Sequence, residues 1–175
     1  MSSRFNPDAE FAYGAGQVNP RKAVSPGLVY DMDEMPYIQF LCHEGYSGAA
    51  LSVLVRSKSI NCSDLVPAFG HDSLNYPTMQ LALKHKTQMI AVFRRRVTNV
   101  GPPQSVYNAT VRAPNGVDIT VKPTSLLFSH KKQTRSFKVV VKANPPMSGA
   151  QISSASLIWK SPRHAVRSPI VMYKP

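Results

Sequence analysis

The stretch that decides the fold is residues 11–31, Phe-Ala-Tyr-Gly-Ala-Gly-Gln-Val-Asn-Pro-Arg-Lys-Ala-Val-Ser-Pro-Gly-Leu-Val-Tyr-Asp. Gly14 and Gly16 flank one small residue, so the backbone there can adopt a positive φ or lie close to a neighbouring element. Asn19 followed by Pro20 is typical of a helix start, because Asn caps a helix and Pro suits its first position. The stretch therefore predicts defined structure and not a flexible linker.

The end of this stretch predicts a turn and then a strand. Pro26-Gly27 ends the helix after about one turn, because Pro cannot continue a helix and Pro-Gly favours a tight turn. Leu28-Val29-Tyr30 then predicts a short buried strand.

Length and composition indicate a folded globular chain. The 175 residues are 43% hydrophobic and 17% charged, which is unlike a disordered tail. No apolar run approaches the roughly 20 residues that a membrane helix needs. The first eight residues, Met-Ser-Ser-Arg-Phe-Asn-Pro-Asp, lack the apolar segment of a signal peptide.

The charges divide the chain into two unlike parts. Residues 1–72 hold five Lys/Arg and eight Asp/Glu, a net charge of −3. Residues 73–175 hold sixteen Lys/Arg and one acid, Asp118, a net charge of +15. The change near residue 72 predicts two units. The basic part suits a polyanion, either nucleic acid or an acidic polysaccharide, but a solvated cationic surface explains the same charge.

The first part predicts two helices. In the helix predicted over residues 33–42, Asp33 is the expected cap, and Tyr37, Phe40 and Leu41 are expected to share the buried face. A second helix is expected over residues 47–55. Its expected cap is Ser47, and its expected buried side is Ala50, Leu51, Leu54 and Val55.

The second part alternates apolar and polar residues with a period of two. Seven such runs are separated by Pro, Gly and Asn turns, and they lie near residues 79–83, 89–93, 107–111, 117–121, 137–141, 157–159 and 170–172. This number of short strands in about 100 residues is typical of an antiparallel β-sandwich. The predicted fold is therefore mainly β, with a small α-rich segment before the sandwich.

Two parts of the chain carry family motifs. Residues 11–31 closely resemble the Tyr-Gly-Ala-Gly-x-Val-Asn-Pro…Pro-Gly-Leu-Val-Tyr-Asp segment of plant subtilisin-like serine proteases, which lies just after the catalytic serine. Residues 95–101, Arg-Arg-Val-Thr-Asn-Val-Gly, resemble the Arg-Thr-Val-Thr-Asn-Val-Gly motif of that family's fibronectin type III-like domain, with Arg96 in place of Thr. Further similar segments follow, among them residues 164–171, which resemble the closing strands of that domain. The resemblance therefore extends from about residue 9 to residue 173.

This resemblance implies a domain division and a function. Residues 1–72 would be the C-terminal remnant of an α/β subtilisin-type protease domain, and residues 73–175 a fibronectin type III-like sandwich. The chain would then be the C-terminal part of a secreted, glycosylated endopeptidase that acts on proteins or peptides. In the family, the sandwich packs on the catalytic domain in cis and supports it. Without that domain, we expect Leu28, Val29, Phe40 and Leu41 to expose apolar surface.

The location and the cysteine state depend on this resemblance. The parent family is extracellular or apoplastic, whereas this chain shows no signal peptide. From the residues alone, Cys42 and Cys62 can be either a disulfide of an exported protein or two reduced thiols. The family resemblance implies the disulfide. Two glycosylation motifs, at Asn61 and Asn108, matter only in a secreted chain.

The chain lacks every catalytic motif of the family. Subtilisin-type hydrolysis needs an Asp, a His, a Ser and an oxyanion donor. No Gly-Thr-Ser occurs, no Asp precedes Thr-Gly or Ser-Gly, and no His precedes Gly. We therefore expect no catalytic residue, no cofactor and no metal site, and we predict that this chain alone is inactive.

The motif residues are expected to have structural roles. Arg95 aligns with a recurrent family Arg and is expected to hold a loop or a carboxylate. On a strand, Arg94 and Arg96 share one face while Arg95 takes the other. Trp159 is expected at the centre of the sandwich. The full set of expected structural residues is Gly14, Gly16, Asn19, Pro26, Gly27, Arg95, Asn99, Gly101 and Trp159.

One alternative belongs to another functional class. A stand-alone basic sandwich would bind an anionic polymer such as a cell-wall polysaccharide, or a partner protease in trans. Nucleic acid is the weaker choice, because Tyr107 and Phe137 fall in the alternating apolar set and not on an exposed stacking face. No membrane partner is expected.

Overall fold

The computed structural model describes residues 6–56, 60–65, 74–83, 89–143 and 151–175. The chain divides into two compact units. One, which we call the sandwich unit, combines residues 1–30 with residues 76–175. The other, the helical unit, consists of residues 31–75.

Nine strands form two β-sheets in the described part of the sandwich unit. They are β1 (Leu28–Val29), β2 (Met79–Ala82), β3 (Met89–Asn99), β4 (Ser105–Arg112), β5 (Val117–Lys122), β6 (Ser125–Phe128), β7 (Thr134–Ala143), β8 (Ile152–Lys160) and β9 (Ala165–Tyr173). The four-stranded sheet has the order β1-β3-β7-β5, and the five-stranded sheet has the order β2-β9-β8-β4-β6. Every pairing is antiparallel except β2 with β9, which is parallel.

The core lies between the two sheets. The inward-facing residues of alternate strand positions are buried, with Trp159 and Tyr107 fully covered. The Phe137 and Trp159 rings meet edge to face, with their centroids 5.1 Å apart. The predicted mainly β sandwich is confirmed, as is the central position of Trp159.

One strand was not predicted. Leu126, Leu127 and Phe128 are consecutive apolar residues in β6, and Leu127 is 61% exposed. Because an apolar residue also occupies the outward position, the run shows no alternation in sequence. A periodicity argument therefore misses this edge strand.

The residues before residue 31 attach to the sandwich. After the helix α1 (Ala9–Tyr13), the one-turn helix α2 (Pro20–Ala23) begins as predicted, and the Asn19 side chain accepts a hydrogen bond from the Lys22 amide at 3.2 Å. Strand β1 then pairs with the end of β3. Leu28 is only 2% exposed, so the expected exposed apolar surface at this residue is wrong: the sandwich itself covers it.

The helical unit contains the two predicted helices, but they bury other residues than expected. They are α3 (Glu34–His43) and α4 (Gly48–Val55), and a 3-10 turn follows at Cys62–Asp64. In α3 the buried residue is Ile38, whereas Tyr37 is 40% exposed and Phe40 and Leu41 are half-buried. In α4 only Leu51 is buried.

The predicted caps Asp33 and Ser47 make no side-chain cap hydrogen bond. Both have the extended backbone that is usual at a cap, and each helix begins at the next residue, so the cap positions are as predicted. Leu54 is 54% exposed. A unit of about 45 residues buries a smaller fraction of its surface than a larger domain does. Fewer apolar residues of the two helices are therefore buried than the sequence predicted.

Candidate functional site

The chain's densest set of motif residues meets where β1 joins the sandwich. We call this the Gly27 junction and define it as Ser25, Gly27, Asn99, Gly101, Tyr107 and His164. The Gly27 carbonyl accepts hydrogen bonds from the amides of Val100 and Gly101, at 2.9 and 3.0 Å. Gly27 has φ +83°, a conformation that glycine adopts without strain. The Pro26-Gly27 turn thereby presents one carbonyl to two successive amides of the β3–β4 loop.

Gly27 is also in close contact with two side chains. A Cβ placed on Gly27 would lie 2.6 Å from His164 Cγ and 2.8 Å from the Tyr107 hydroxyl oxygen. Gly101 is less confined, with the nearest atoms to a Cβ at 3.3 Å. Only a residue without a side chain fits at position 27.

Asn99 organises the loop that receives Gly27. Its side-chain oxygen accepts from the Gly101 amide at 3.1 Å, and its side-chain nitrogen donates to the Pro102 carbonyl at 2.8 Å. The residue is fully buried. Both polar ends of its amide are thus satisfied inside the protein, as a buried amide requires.

A serine and a histidine meet at the junction without the rest of a catalytic site. Ser25 Oγ lies 3.3 Å from His164 Nε2, and the Tyr107 hydroxyl lies 3.5 Å from His164 Nδ1. A catalytic serine needs a third group that orients the base, and amides left available for an oxyanion. Here a tyrosine stands at Nδ1, and the Val100 and Gly101 amides already bind the Gly27 carbonyl. The Ser25–His164 contact links residues 25–27 to the β8–β9 loop.

Tyr30, which is half-buried and packs against the sandwich core, makes a second attachment. Its hydroxyl lies 2.6 Å from Ser168 Oγ, and its ring meets Phe137 edge to face at 6.4 Å. Burial raises the pKa of Tyr30 above its ordinary value of 10.0, while the Ser168 hydrogen bond and the nearby Arg95 charge act in the opposite direction. Burial likewise raises the pKa of Tyr107.

These raised tyrosine pKa values predict a loss of stability in alkali. A tyrosine that ionises less readily when folded contributes stability below pH 10, and this contribution is lost as the pH rises through its folded pKa. We expect the free energy of unfolding to fall above about pH 10, and to fall less steeply in Tyr30→Phe. Urea titrations at several pH values measure this. Equal alkaline slopes for the two proteins would contradict it.

A third contact fixes α1 to the outer face of the five-stranded sheet. Glu10 accepts hydrogen bonds from Arg167, at 3.4 Å, and from the Ser154 hydroxyl. Arg167 also donates to the Ala15 carbonyl at 3.1 Å. The Phe11 and Tyr173 rings meet edge to face at 5.4 Å.

Sequence reasoning did not identify these three attachments. Their partners are more than 70 residues apart in the chain, and the side-chain contacts to His164, Ser168 and Arg167 more than 130, so no local pattern relates them. The one available signal was the similarity of residues 164–171 to the closing strands of the family domain. That similarity places His164 and Ser168 in a motif but does not say what they contact.

Arg95 anchors the segment that leads into β2. Its side chain points inward and is 2% exposed, whereas Arg94 and Arg96 are exposed, as the alternation predicted. The guanidinium donates to the carbonyls of Tyr76, at 2.6 Å, and Thr78, at 3.1 Å. A planar donor fork of this kind suits several carbonyl acceptors at once.

The remaining expected structural residues lie apart from the junction, except Pro26, which lies between Ser25 and Gly27. Gly14 and Gly16 have φ +58° and +118°, with open space where a side chain would stand, so they shape the turn after α1 without close packing. The indole nitrogen of Trp159 is buried without a hydrogen-bond partner among the described residues. Asn19 and Pro26 lie on either side of α2.

The helical unit holds both cysteines and one glycosylation motif. Cys42, at the end of α3, is bonded to Cys62, at an S–S distance of 2.07 Å. Asn61 is exposed, and its side-chain oxygen accepts from the Ser63 amide at 3.4 Å. The second motif residue, Asn108, is exposed on β4 and accepts a hydrogen bond from the Ser125 hydroxyl at 2.5 Å.

Removal of the Cys42–Cys62 link is expected to destabilise the helical unit. The two cysteines are 20 residues apart, and closing a loop of this length contributes about 3 kcal/mol in the chain-entropy model. We expect Cys42→Ala/Cys62→Ala to lose amide-exchange protection in α3 and α4. The β3 and β7 amides are the internal control and should keep theirs. Unchanged protection in both helices would contradict the prediction.

Two kinds of site are absent from the residues that the structure describes. None of their His, Cys, Asp and Glu side chains form a group of three or more that is placed to hold a metal ion. None of the helices in this part of the chain is long and apolar enough to cross a bilayer.

Comparison with known proteins identifies the family. The fibronectin type-III domain family matches residues 73–172. Over its whole length the chain is 65% identical to subtilisin-like protease SBT4.14 of Arabidopsis thaliana, and over 95% of its length it is 40% identical to SBT4.15 of the same plant. It spans 23% of the length of each of these curated relatives.

A distant likeness to a solved structure is also found. A FixG-related protein from Vibrio parahaemolyticus aligns with 51% of this chain and 98% of its own, at 14% identity and a TM-score of 0.38. A likeness of this size supports no conclusion about function. The family motifs, the fibronectin type-III match and the plant relatives agree with one another. The chain therefore belongs to the plant subtilisin-like protease family, as the part that contains its fibronectin type-III domain.

Proposed function

We propose that this chain is the supporting C-terminal part of a secreted, plant-type subtilisin-like serine endopeptidase. In this proposal residues 1–72 derive from the protease domain and residues 73–175 form the accessory sandwich. The chain packs on the catalytic domain in cis and supports its folding, and it contributes no nucleophile. Proteins or peptides are substrates only through that domain.

The Gly27 junction is the observation that supports this role most directly. Residues 6–30, which resemble the end of the protease domain, belong to the same compact unit as the sandwich. Gly27, Tyr30 and Glu10 each attach this segment to a different part of the sandwich. A segment held at three points is a stiff connection, because little backbone entropy remains to be lost when the catalytic domain packs against it.

Secretion and glycosylation are the finer parts of the proposal. A Cys42–Cys62 disulfide suits an oxidising compartment, which for a plant protease means the secretory route and the apoplast. Asn61 and Asn108 are exposed, as acceptors of an N-linked glycan must be. The test is expression with a secretion signal in plant cells, followed by glycosidase treatment of the wild-type protein and of Asn61→Gln and Asn108→Gln.

Complementation in trans tests the supporting role. SBT4.14 that lacks the region matched by this chain is expressed alone and together with the present 175-residue chain. We expect little secreted peptidase activity from the truncated protease alone, and a clear recovery with the chain present. Co-purification of the two polypeptides is the binding readout.

A matched variant makes this experiment specific. Gly27→Ala should reduce the recovery because it loosens the segment at the junction, whereas the surface change Lys160→Ala should leave it intact. Full activity of the truncated protease without any partner would show that this part is dispensable. Recovery that Gly27→Ala does not alter would show that the junction is unrelated to support.

A further inference from the structure

The outer face of the four-stranded sheet carries five of the chain's 21 Lys and Arg residues and one acid. We call this surface the cationic face. Its residues alternate with buried residues along three adjacent strands, and all of them are exposed except Val140, which is half-buried. The face consists of Ile90, Val92, Arg94 and Arg96 on β3, Ser136, Lys138, Val140 and Lys142 on β7, and Asp118, Thr120 and Lys122 on β5.

The strand register aligns three of these cations in one row. Arg94 lies opposite Lys138, and Lys138 lies opposite Lys122. Adjacent strands are about 4.8 Å apart, so the row brings three positive charges within about 10 Å. Like charges directly opposite each other in a sheet are destabilising. The one carboxylate of this face, Asp118, lies opposite Lys142 instead.

An apolar row runs beside the cationic row. Val92 lies opposite Val140, which lies opposite Thr120. Val92 is 44% exposed, and Ile90, further along the same face of β3, is 57% exposed. A flat partner that carries both anionic groups and CH surfaces would therefore contact charge and apolar surface together.

The residue types of the cationic face indicate which class of partner it binds. It has no aromatic residue, so it offers no platform on which nucleic-acid bases would stack. Protein interfaces have aromatic anchors and few lysines at their centre, which is the reverse of this surface. The face extends across three adjacent strands, and a surface of that width suits an extended polymer better than a small anion.

We propose that the cationic face binds a linear polyuronate, an acidic polysaccharide with one carboxylate on each sugar. The carboxylates pair with Lys138 and Lys122, and the CH faces of the sugar rings lie over Val92 and Val140. Binding releases counterions from the polymer, so the affinity falls as salt rises. The proposal does not depend on the supporting role proposed above. Complementation can fail while polymer binding persists, and polymer binding can fail while complementation succeeds.

Retention on immobilised polygalacturonate tests the proposal with the full 175-residue chain. We expect retention at about 0.1 M salt, and no retention on the same polymer fully methyl-esterified, because esterification removes the charge. Lys122→Glu/Lys138→Glu should bind at least about tenfold more weakly, a loss of about 1.4 kcal/mol. The variant has one like-charge pair in the row, between positions 122 and 138, where the wild-type chain has two, so it should remain folded, which circular dichroism checks.

The matched control is Lys160→Glu/Arg163→Glu. It changes the formal charge equally, at exposed residues outside the cationic face, and should bind within about twofold of the wild-type chain. Equal loss in the two double variants would overturn the proposal, because net charge alone would then explain the binding. No retention on polygalacturonate would overturn it as well. Tighter retention on single-stranded DNA or on an acidic protein would assign the face to that partner instead.

Discussion

Gly27→Ala is expected to lower the free energy of unfolding by about 3 kcal/mol or more. Two costs add. Alanine is strained at φ +83°, and its methyl group would overlap the His164 ring and the Tyr107 hydroxyl. In a chain of this size the melting temperature should fall by about 10 °C. The amides of Val100 and Gly101, which bind the Gly27 carbonyl, should lose exchange protection first.

Gly101→Ala is the control for this prediction. It lies in the same junction, but the nearest atoms to its added methyl are 3.3 Å away and its backbone conformation is not restricted to glycine. We expect a loss of about 1 kcal/mol or less. Similar losses for the two variants would show that the junction does not select glycine at position 27.

Arg95→Met is expected to have the second large effect, a decrease of about 3 kcal/mol in the free energy of unfolding. Methionine keeps much of the apolar volume of the arginine stem, but the carbonyls of Tyr76 and Thr78 lose their donors in a partly buried place. Arg95→Lys should lie between Met and wild type, because an ammonium keeps the charge without the planar fork. Urea unfolding followed by Trp159 fluorescence measures both.

The control for Arg95 is Arg112→Met. Arg112 is exposed on β4, and its removal should change the free energy of unfolding by no more than about 0.5 kcal/mol. If the two arginine variants were equally stable, the anchoring of residues 76–78 by Arg95 would be wrong. The β2–β9 pairing, which begins at Met79, would then need another explanation.

Local patterns predicted the parts of the fold that depend on neighbours in sequence. The period of two placed Arg95 inside and Arg94 outside, because alternate residues of a strand face opposite sides. The Asn19-Pro20 pair predicted the start of a capped helix and Pro26-Gly27 its end after about one turn, because these residues act on backbone groups close to them in sequence. Asp33 and Ser47 occupy the predicted cap positions with the extended backbone of a cap, but neither side chain makes the cap hydrogen bond.

Tertiary contacts account for what the sequence did not predict. Leu28 was expected to be exposed without the rest of a protease domain, yet it is buried against the sandwich. The attachment of residues 25–30 depends on His164 and Ser168, and the sequence shows no pairing across 138 residues. The motif residues Gly27, Asn99 and Gly101 were identified by resemblance, but only the structure brings them into one junction.

Fluorophosphonate labelling of the purified 175-residue chain tests the central claim most directly. The claim is that these residues support an enzyme and do not include its nucleophile. We predict no labelled serine and no peptide hydrolysis, at concentrations where full-length SBT4.14 is labelled to completion. Labelling that disappears in Ser25→Ala would contradict the claim, because it would make the Ser25–His164 pair an active nucleophile.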